Sequence, residues 1–365
     1  MSVMLKASYQ IPSLPPTGFN EEDPAILKAL AVAHRHLAEL KGCAKSIPNQ
    51  AILIDTLTLQ EAKASSEIES YVTTQDELFQ ADLQLADWVS PASKEVSRYR
   101  EALKYGFSKM QFDQGLLTNS TLIALFQLLK NSTDGFRHMP GTVLKNDRTG
   151  ATVFVPPQSA SEIQQHMDNL GHFINTPDDL DPLVKMALIH HQFESIHPFS
   201  DGNGRIGRIL CVLYLTQTSL LDIPILYLSR YINQNKSDYY RLLQIVRDHG
   251  QWHEWVLFML QAVAVTARST VDLVEGMRVL MASTKQRIRR ELPKLYSQDL
   301  LNNLFRHPYT RIEFVQNDLG VSRQTAAKYL RELVGKGIVL EHAQGKHIYF
   351  INQPLVNLLS QDEIL

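Results

Sequence analysis

Cysteine is scarce: Cys43 and Cys211 are the only two in 365 residues, and they lie far apart in sequence. That excludes a disulfide framework and any paired-cysteine metal spacing, and it suits a reducing cytoplasm. Long apolar runs are missing too; nothing reads as the ~20 consecutive apolar residues of a membrane span. The opening stretch MSVMLKASYQIPSLPPTGF has one lysine and no apolar core, so no signal peptide is expected. The expectation is a cytoplasmic chain without a membrane partner. Excess charge is also lacking. A net charge of −2 rules out a molecule that binds nucleic acid as a polycation and leaves room only for a local patch. There is no Walker pattern, no internal repeat and no low-complexity segment.

What is present is an ordinary globular composition, 44% hydrophobic, in a chain long enough for two or three domains. Most of it has helical periodicity. Residues 1–22 hold three prolines and read as an extended arm or tail. Asp23 followed by Pro24 reads as an N-cap with proline at the first helical position, and Gly42 as the close of that helix. A second helix is predicted from about Asn49 into the sixties. Ser65 and Glu69 lie four apart near its end and share a face, which by itself describes a solvated helix surface. Further helices are predicted over 92–108, 118–130 and 160–173, then over 183–196 and from about 204 or 205. Residues 225–260 give two helices broken near Gly250, with Tyr239 and Tyr240 at the start of one. Helical patterning runs on to about Arg290.

Two segments have a different rhythm. Thr142–Leu144 and Thr152–Val155 are short β-branched runs around the polar turn Asn146–Gly150, the best hairpin pattern in the chain. The other reading is a surface loop. At the C-terminal end, Leu292–Phe305 suits a helix, and Ile312–Leu319 a short one. Gly320 and Val321 then turn the chain, and Ser322 caps a further helix. Two apolar strands follow, IVLEH and HIYFI, joined by a turn at Gln344 and Gly345. Helix, turn, helix and ribbon describe a winged helix-turn-helix. Its second helix would present Ser322, Arg323, Gln324, Thr325 and Lys328 to DNA. From His307 to Phe350 there are six Lys/Arg against four Asp/Glu, a thin surplus, so protein contacts or dimerisation suit the unit equally.

The densest chemistry lies in His197–Arg208, HPFSDGNGRIGR. Pro198 restricts the residue before it, so one helix ends there and the next begins a few residues on. The stretch is therefore a loop feeding a helix N-terminus, where free N–H groups and the helix dipole favour an anion. Gly202, Asn203 and Gly204 allow close backbone approach to phosphate oxygens. Arg205 and Arg208, three apart, can reach the same phosphates with forked donors. Asp201 is a hard oxygen ligand beside the anion site, as Mg²⁺ on phosphates would require. His197 takes a proton near neutral pH. Phe199 should point into the core.

This stretch resembles the signature of the Fic (filamentation induced by cAMP) family, HPFx(D/E)GNGRxxR, with every fixed position met. The resemblance covers most of the chain. FRHMPGTV and VFVPPQ resemble the edges of the family's flap, and SSEIES resembles its inhibitory motif (S/T)xxxE(G/N), with Ser70 in place of Gly or Asn. The fold it implies is mainly α: a Fic-type helical bundle with a β-hairpin flap, plus the C-terminal winged helix-turn-helix. Residues 1–105 would form an N-terminal helical region with the inhibitory helix, and 106–265 the catalytic core. Linking helices would span 266–300 and the terminal domain 301–365. The implied activity is transfer of AMP from ATP, with Mg²⁺, to a hydroxyl side chain of a target protein lying along the flap at 141–157. His197 would be the base and Asp201 the metal ligand. Gly202, Asn203, Gly204, Arg205, Ile206, Gly207 and Arg208 would bind ATP, Arg205 at the β-phosphate and Arg208 at the γ-phosphate. Glu69, with Ser65, would occupy the γ-phosphate's place on Arg208 and inhibit. Tyr240 is the choice for a wall of the adenine pocket. Alternatives are removal of AMP by the same site, and a DNA-binding regulator that senses nucleotide. A homodimer is a further expectation.

Overall fold

The computed structural model describes residues 10–83, 89–145, 149–344 and 347–360. Its centre is a pair of helices, α7 (Pro182–Ile196) and α8 (Asn203–Gln217), joined by the HPFSDGNGRIGR loop. All residues of α7 from Leu183 on are buried, so this helix is covered on every side rather than along one stripe. Its start is set locally: Asp181 accepts from the Leu183 N–H at 2.8 Å, and Pro182 takes the first helical position. Helices α4 (Pro91–Phe112), α5 (Asn119–Lys130) and α6 (Ala160–Asn175) close around the pair. Behind them α1 (Pro24–Ala44) lies along α11 (Trp252–Glu291), a single helix of 40 residues. The prediction of a helix capped by Asp23 is met, with Asp23 accepting from the Ala25 N–H. Gly42 does not close it. The helix runs through to Ala44, because its apolar stripe continues to Leu40 and the buried Ala44.

Helix α2 (Ala51–Ile68) crosses this bundle and is buried on most of its surface, including Glu61, Ser65 and Ser66. Short helices α3 (Gln75–Asp82), α9 (Ser229–Gln234) and α10 (Lys236–His249) complete the core. The hairpin is present: β1 (Leu144–Lys145) pairs antiparallel with β2 (Thr152–Phe154), and Asn146–Arg148 of its turn lie outside the described residues.

The C-terminal unit begins with α12 (Gln298–Arg306), so the expected helix from Leu292 is shorter than its pattern. Pro293 restricts Leu292 and interrupts the chain, and Ser297 starts the helix afresh by accepting from the Leu300 N–H at 3.0 Å. Next come β3 (Tyr309–Thr310), α13 (Ile312–Leu319), α14 (Arg323–Gly335), β4 (Leu340–Gln344), β5 (His347–Ile351) and α15 (Gln353–Ser360). The three strands form one antiparallel sheet in the order β3-β5-β4. Gly320 ends α13 at φ 63°, and the Ser322 hydroxyl caps α14 at the Thr325 N–H. The unit packs on α2 and α3: Arg306 donates to Asp55, Tyr309 donates to Asp76, and the Tyr309 ring lies 5.3 Å from Phe79. The boundaries drawn at 105, 265 and 300 fall inside α4, α11 and α12, whose helices run across them.

One expectation needs correction. Helix α11 is long and apolar enough to cross a membrane, with an 18-residue window of mean hydropathy 1.4. The window escapes a search for unbroken apolar runs because polar residues interrupt it, and 56% of it is buried inside the protein, as in a core helix.

Candidate active site

His197 ends α7 in the left-handed region, at φ 52° and ψ 58°, and its N–H still donates to the Phe193 carbonyl at 3.0 Å. Such a backbone is costly for a residue with a Cβ and turns the imidazole out of the helix line. The loop that follows is locked from inside. Asn203 accepts from the Phe199 N–H and donates to the Phe199 carbonyl, both at 2.8 Å. Phe199 is fully buried, as expected, and stacks on Phe126 at 4.4 Å. Gly202, at φ 76°, is the N-cap of α8, a conformation glycine adopts without strain. The first N–H groups of α8 are thus presented as free donors at the dipole's positive end.

His197 and Arg208 line a cavity of about 820 Å³ with Glu69, Glu194, Gly204, Lys236, Tyr239, Tyr240, Arg241, Arg247 and flap residues including Val143, Lys145 and Val153. Five Lys or Arg side chains face two carboxylates there, so the cavity concentrates positive potential in a chain of near-zero net charge. Burial, its contact with the charge of Arg208 notwithstanding, pushes the Glu194 carboxyl up to about 7, which weakens one of the two opposing charges. Burial first, then the charges of Arg247 and Arg137, push His197 down to about 4. Its imidazole is therefore neutral at neutral pH and free to accept a proton.

Glu69 meets its cation in this cavity. Arg208, buried, donates from Nη2 to Glu69 Oε1 at 2.9 Å, from Nε to the Ser65 hydroxyl at 2.8 Å and from Nη2 to the Ser65 carbonyl at 3.0 Å. Burial, the largest single effect, disfavours the guanidinium charge, but the charge and hydrogen bond of Glu69 together with Tyr239 and Tyr99 outweigh it, and the net shift of Arg208 is upward. Gly204 makes this pair fit: a Cβ there would lie 2.5 Å from Glu69 Oε1 and 2.9 Å from Arg208 Nη1. The end of α2 is held by a double turn. The Tyr71 N–H donates to the Ser66 carbonyl and the Ser70 N–H to the Glu67 carbonyl, both at 3.0 Å, with Ser70 left-handed at φ 67°. Lys236 donates to the Ile68 carbonyl, and Asn233 to Glu67 at 3.1 Å.

Arg205 is placed differently from Arg208. It is buried, ion-paired with Glu95 of α4, lies over the Tyr71 ring at 5.2 Å, and is not part of the cavity wall. Ile206 is fully buried core, and Gly207 is the place where α8 meets α7, since a Cβ there would lie 2.8 Å from Glu194 Oε1. Tyr240 stands half-exposed at the cavity rim, edge-on to the buried Tyr239 at 5.2 Å. Asp201 is exposed at the loop, accepts from the Gly202 N–H and pairs with Lys130 at 2.6 Å. Among the described residues no group of three or more His, Cys, Asp or Glu forms a metal cluster. One exposed hard carboxylate next to an anion loop, already holding a cation, fits a Mg²⁺ bound chiefly through phosphates. Sequence reasoning missed Arg137, Glu95, Glu194, Lys236 and Arg247. Glu194, three residues before His197, and Arg137, at the flap's edge, adjoined a motif, whereas Glu95, Lys236 and Arg247 act across long sequence separations.

Family comparisons agree with this geometry. The description "Fic/DOC family N-terminal" matches residues 27–108, "Fic/DOC family" matches 116–215, and "Protein adenylyltransferase SoFic-like, C-terminal domain" matches 280–355. The chain belongs to the Fic/DOC family. It is 28% identical over 184 residues to a probable protein adenylyltransferase of Aquifex aeolicus, covering 49% of this chain and 54% of that protein. It is 26% identical over 183 residues to the protein adenylyltransferase Fic of Nematostella vectensis, covering 49% and 39%. The chain thus spans about half or less of the length of these curated relatives. A solved Fic family protein from Desulfovibrio desulfuricans shares the fold across 94% of this chain and 98% of its own, with a TM-score of 0.57 at 21% identity. Fic-1 of Caenorhabditis elegans matches 68% of this chain and 71% of the solved segment, with a TM-score of 0.52 at 16% identity.

Proposed function

We propose that this chain is a protein adenylyltransferase that moves AMP from ATP to a Ser, Thr or Tyr hydroxyl of a target protein and of itself, and that Glu69 holds it off by competing for Arg208. The observation that carries this reading is the 2.9 Å contact of Glu69 with Arg208 in a cationic cavity that also contains His197 and the flap. ATP's phosphates fit the N-terminus of α8, and Arg208 suits the terminal phosphate. Arg205 reaches the β-phosphate only if its pairing with Glu95 gives way. Asp201 would hold a Mg²⁺ ion, which supplies charge neutralisation across the phosphates once Lys130 lets go of the carboxylate. His197 takes the hydroxyl proton, the oxygen bonds to the α-phosphorus, and the bond to pyrophosphate breaks. The protein's work is positioning and charge stabilisation. The target segment would lie along the flap as an added strand, read mainly through backbone pairing.

A second reading uses the same site in reverse. Glu69 faces the same cavity as His197, where it could orient water to remove AMP from a modified protein.

Incubation with ATP labelled at the α-phosphate tests both. Wild type should label itself weakly, Glu69→Gly strongly and His197→Ala not at all. Equal labelling of wild type and Glu69→Gly would remove the inhibition, and labelling by His197→Ala would remove the mechanism.

A further inference from the structure

Arg137 sits outside the cavity wall and yet touches both sides of the reaction. It lies just before the flap and is buried. Its Nε donates to the His197 carbonyl at 2.8 Å, and its Nη2 reaches the Ile196 carbonyl at 3.4 Å. Its own N–H donates to the Pro198 carbonyl at 2.8 Å. The same Nη2 donates to the Pro157 carbonyl, where the flap returns to the core. One side chain and one amide therefore hold three consecutive carbonyls, 196 to 198, around a histidine in the left-handed region, and pin both ends of the flap to them. Phe136, its neighbour, packs on Phe199 of the loop at 5.4 Å.

We propose that Arg137 is a positioning residue that couples the flap to the catalytic histidine, so that the strand which docks the target and the base which deprotonates it move as one body. The proposal rests on the adenylyltransferase reading and adds to it the link between target docking and base alignment. The left-handed His197 needs support from its surroundings, because that backbone is costly for a residue with a Cβ. The Arg137 bonds supply it at the carbonyls flanking the imidazole's Cα. The bond to Pro157 transmits the flap's position to the same carbonyls. A lysine at this position keeps the charge but lacks the fork needed to reach carbonyls of two segments at once.

The charge of Arg137 also acts on His197. Three charged groups and one backbone carbonyl face that imidazole: Arg247 from α10, Arg137 from the flap's edge, Glu69 from α2 and the carbonyl of Glu194 from α7. Arg137 and Arg247 lower its proton affinity after burial has done so, and Glu69 and the Glu194 carbonyl raise it. Removing Arg137 takes away one of the two lowering charges.

The test uses the full chain in the Glu69→Gly background, with Arg137→Met and Arg137→Lys added singly. In Arg137→Met, turnover with α-labelled ATP is expected to fall by about tenfold or more while ATP affinity stays within about twofold, as for a misaligned base rather than a lost binding contact. The acid limb of its pH–rate profile should move to higher pH. Arg137→Lys should restore the acid limb without restoring turnover. Loss of turnover and of ATP affinity together, with an unmoved acid limb, would show a merely structural role and overturn the proposal. Two measurements need no activity: NMR titration of the His197 imidazole, expected to move upward in Arg137→Met only, and amide exchange of Thr152–Phe154, expected to speed up in both variants. If the Glu69→Gly parent fails to label, the functional reading falls. These two measurements then decide the coupling alone, and an unmoved His197 titration with unchanged flap exchange would sink it.

Discussion

Ser65 and Arg208, 143 positions apart in the chain, meet through two hydrogen bonds: the Arg208 Nε–H reaches the Ser65 hydroxyl at 2.8 Å and Nη2 reaches its carbonyl at 3.0 Å. Glu69, one helical turn on, accepts from the same Nη2 at 2.9 Å. The arginine is therefore pre-aimed by serine, and the carboxylate adds charge to a geometry already fixed. Glu69→Gln separates the two effects. It keeps a hydrogen-bond acceptor and drops the charge. Self-labelling should lie between wild type and Glu69→Gly, the latter raised by about tenfold if the inhibited arrangement is favoured by ~1.4 kcal/mol. Labelling of Glu69→Gln equal to wild type would mean that shape alone inhibits.

Ser70 occupies a left-handed position at φ 67° where the family pattern has Gly or Asn. Ser70→Gly should relieve backbone strain, partly offset by the greater freedom of glycine in the unfolded chain, for a net gain of about 0.5 kcal/mol. A firmer end to α2 also keeps Glu69 in place, so self-labelling should drop. Thermal melts and the label assay check this together, and a stabilised variant with higher labelling would contradict the link.

Gly204→Ala brings a methyl group against Glu69 Oε1 at 2.5 Å and Arg208 Nη1 at 2.9 Å. The pair must separate, at a cost of about 1–3 kcal/mol for the forced shift. Because the same methyl crowds the start of α8, ATP binding should weaken as well. The expected phenotype is a lower melting temperature without the gain in labelling of Glu69→Gly. Strong labelling by Gly204→Ala would show that the anion loop tolerates a side chain.

The pH dependence of stability is a contest between buried groups. Burial is the main cause in each. His190 is pushed down to about 3 and His197 to about 4, and His191 also falls well below its usual value. These groups bind fewer protons folded than unfolded, so they lose stability as pH falls from about 6.5 toward those values. Glu61 and Glu194 are pushed up to about 7 and bind more protons folded, so they lose stability as pH rises from about 4.5 to about 7. Between pH 4.5 and 6.5 the two sets oppose each other, and below 4.5 only the histidines act. The melting temperature should vary little from pH 7 to 5 and fall steeply below about 4.5. Glu61→Gln removes one rising group and should steepen the loss between pH 6.5 and 4.5, measured by the same melts; an unchanged slope there would remove Glu61 from the balance.

What was legible in the sequence was what is decided locally. Asp23 with Pro24, Ser322 before α14 and the glycines of HPFSDGNGRIGR act within a few residues, and the structure puts each where its chemistry predicts. Helix α3, capped by Thr74, and α15, after Asn352, were not expected, because eight residues hold too few periods to stand out. Gly42 and Leu292 misled for the same reason in reverse: a local signal was overruled by burial in one case and by proline in the other. The arrangement of the site was least legible. Arg205 turning to Glu95, Asp201 to Lys130 and Lys236 to the end of α2 are contacts between distant segments, set by how the helices pack.

Helix α11 has a consequence of scale. Trp255, near its start, donates to the Ala187 carbonyl of α7 at 2.8 Å, and Arg287, near its end, donates to the Gly337 carbonyl of the C-terminal unit at 3.2 Å. Forty helical residues measure about 60 Å. The helix is a measuring rod bolted at both ends. The helix thereby sets the distance between the C-terminal unit, met by Arg287, and the buried helix α7, met by Trp255.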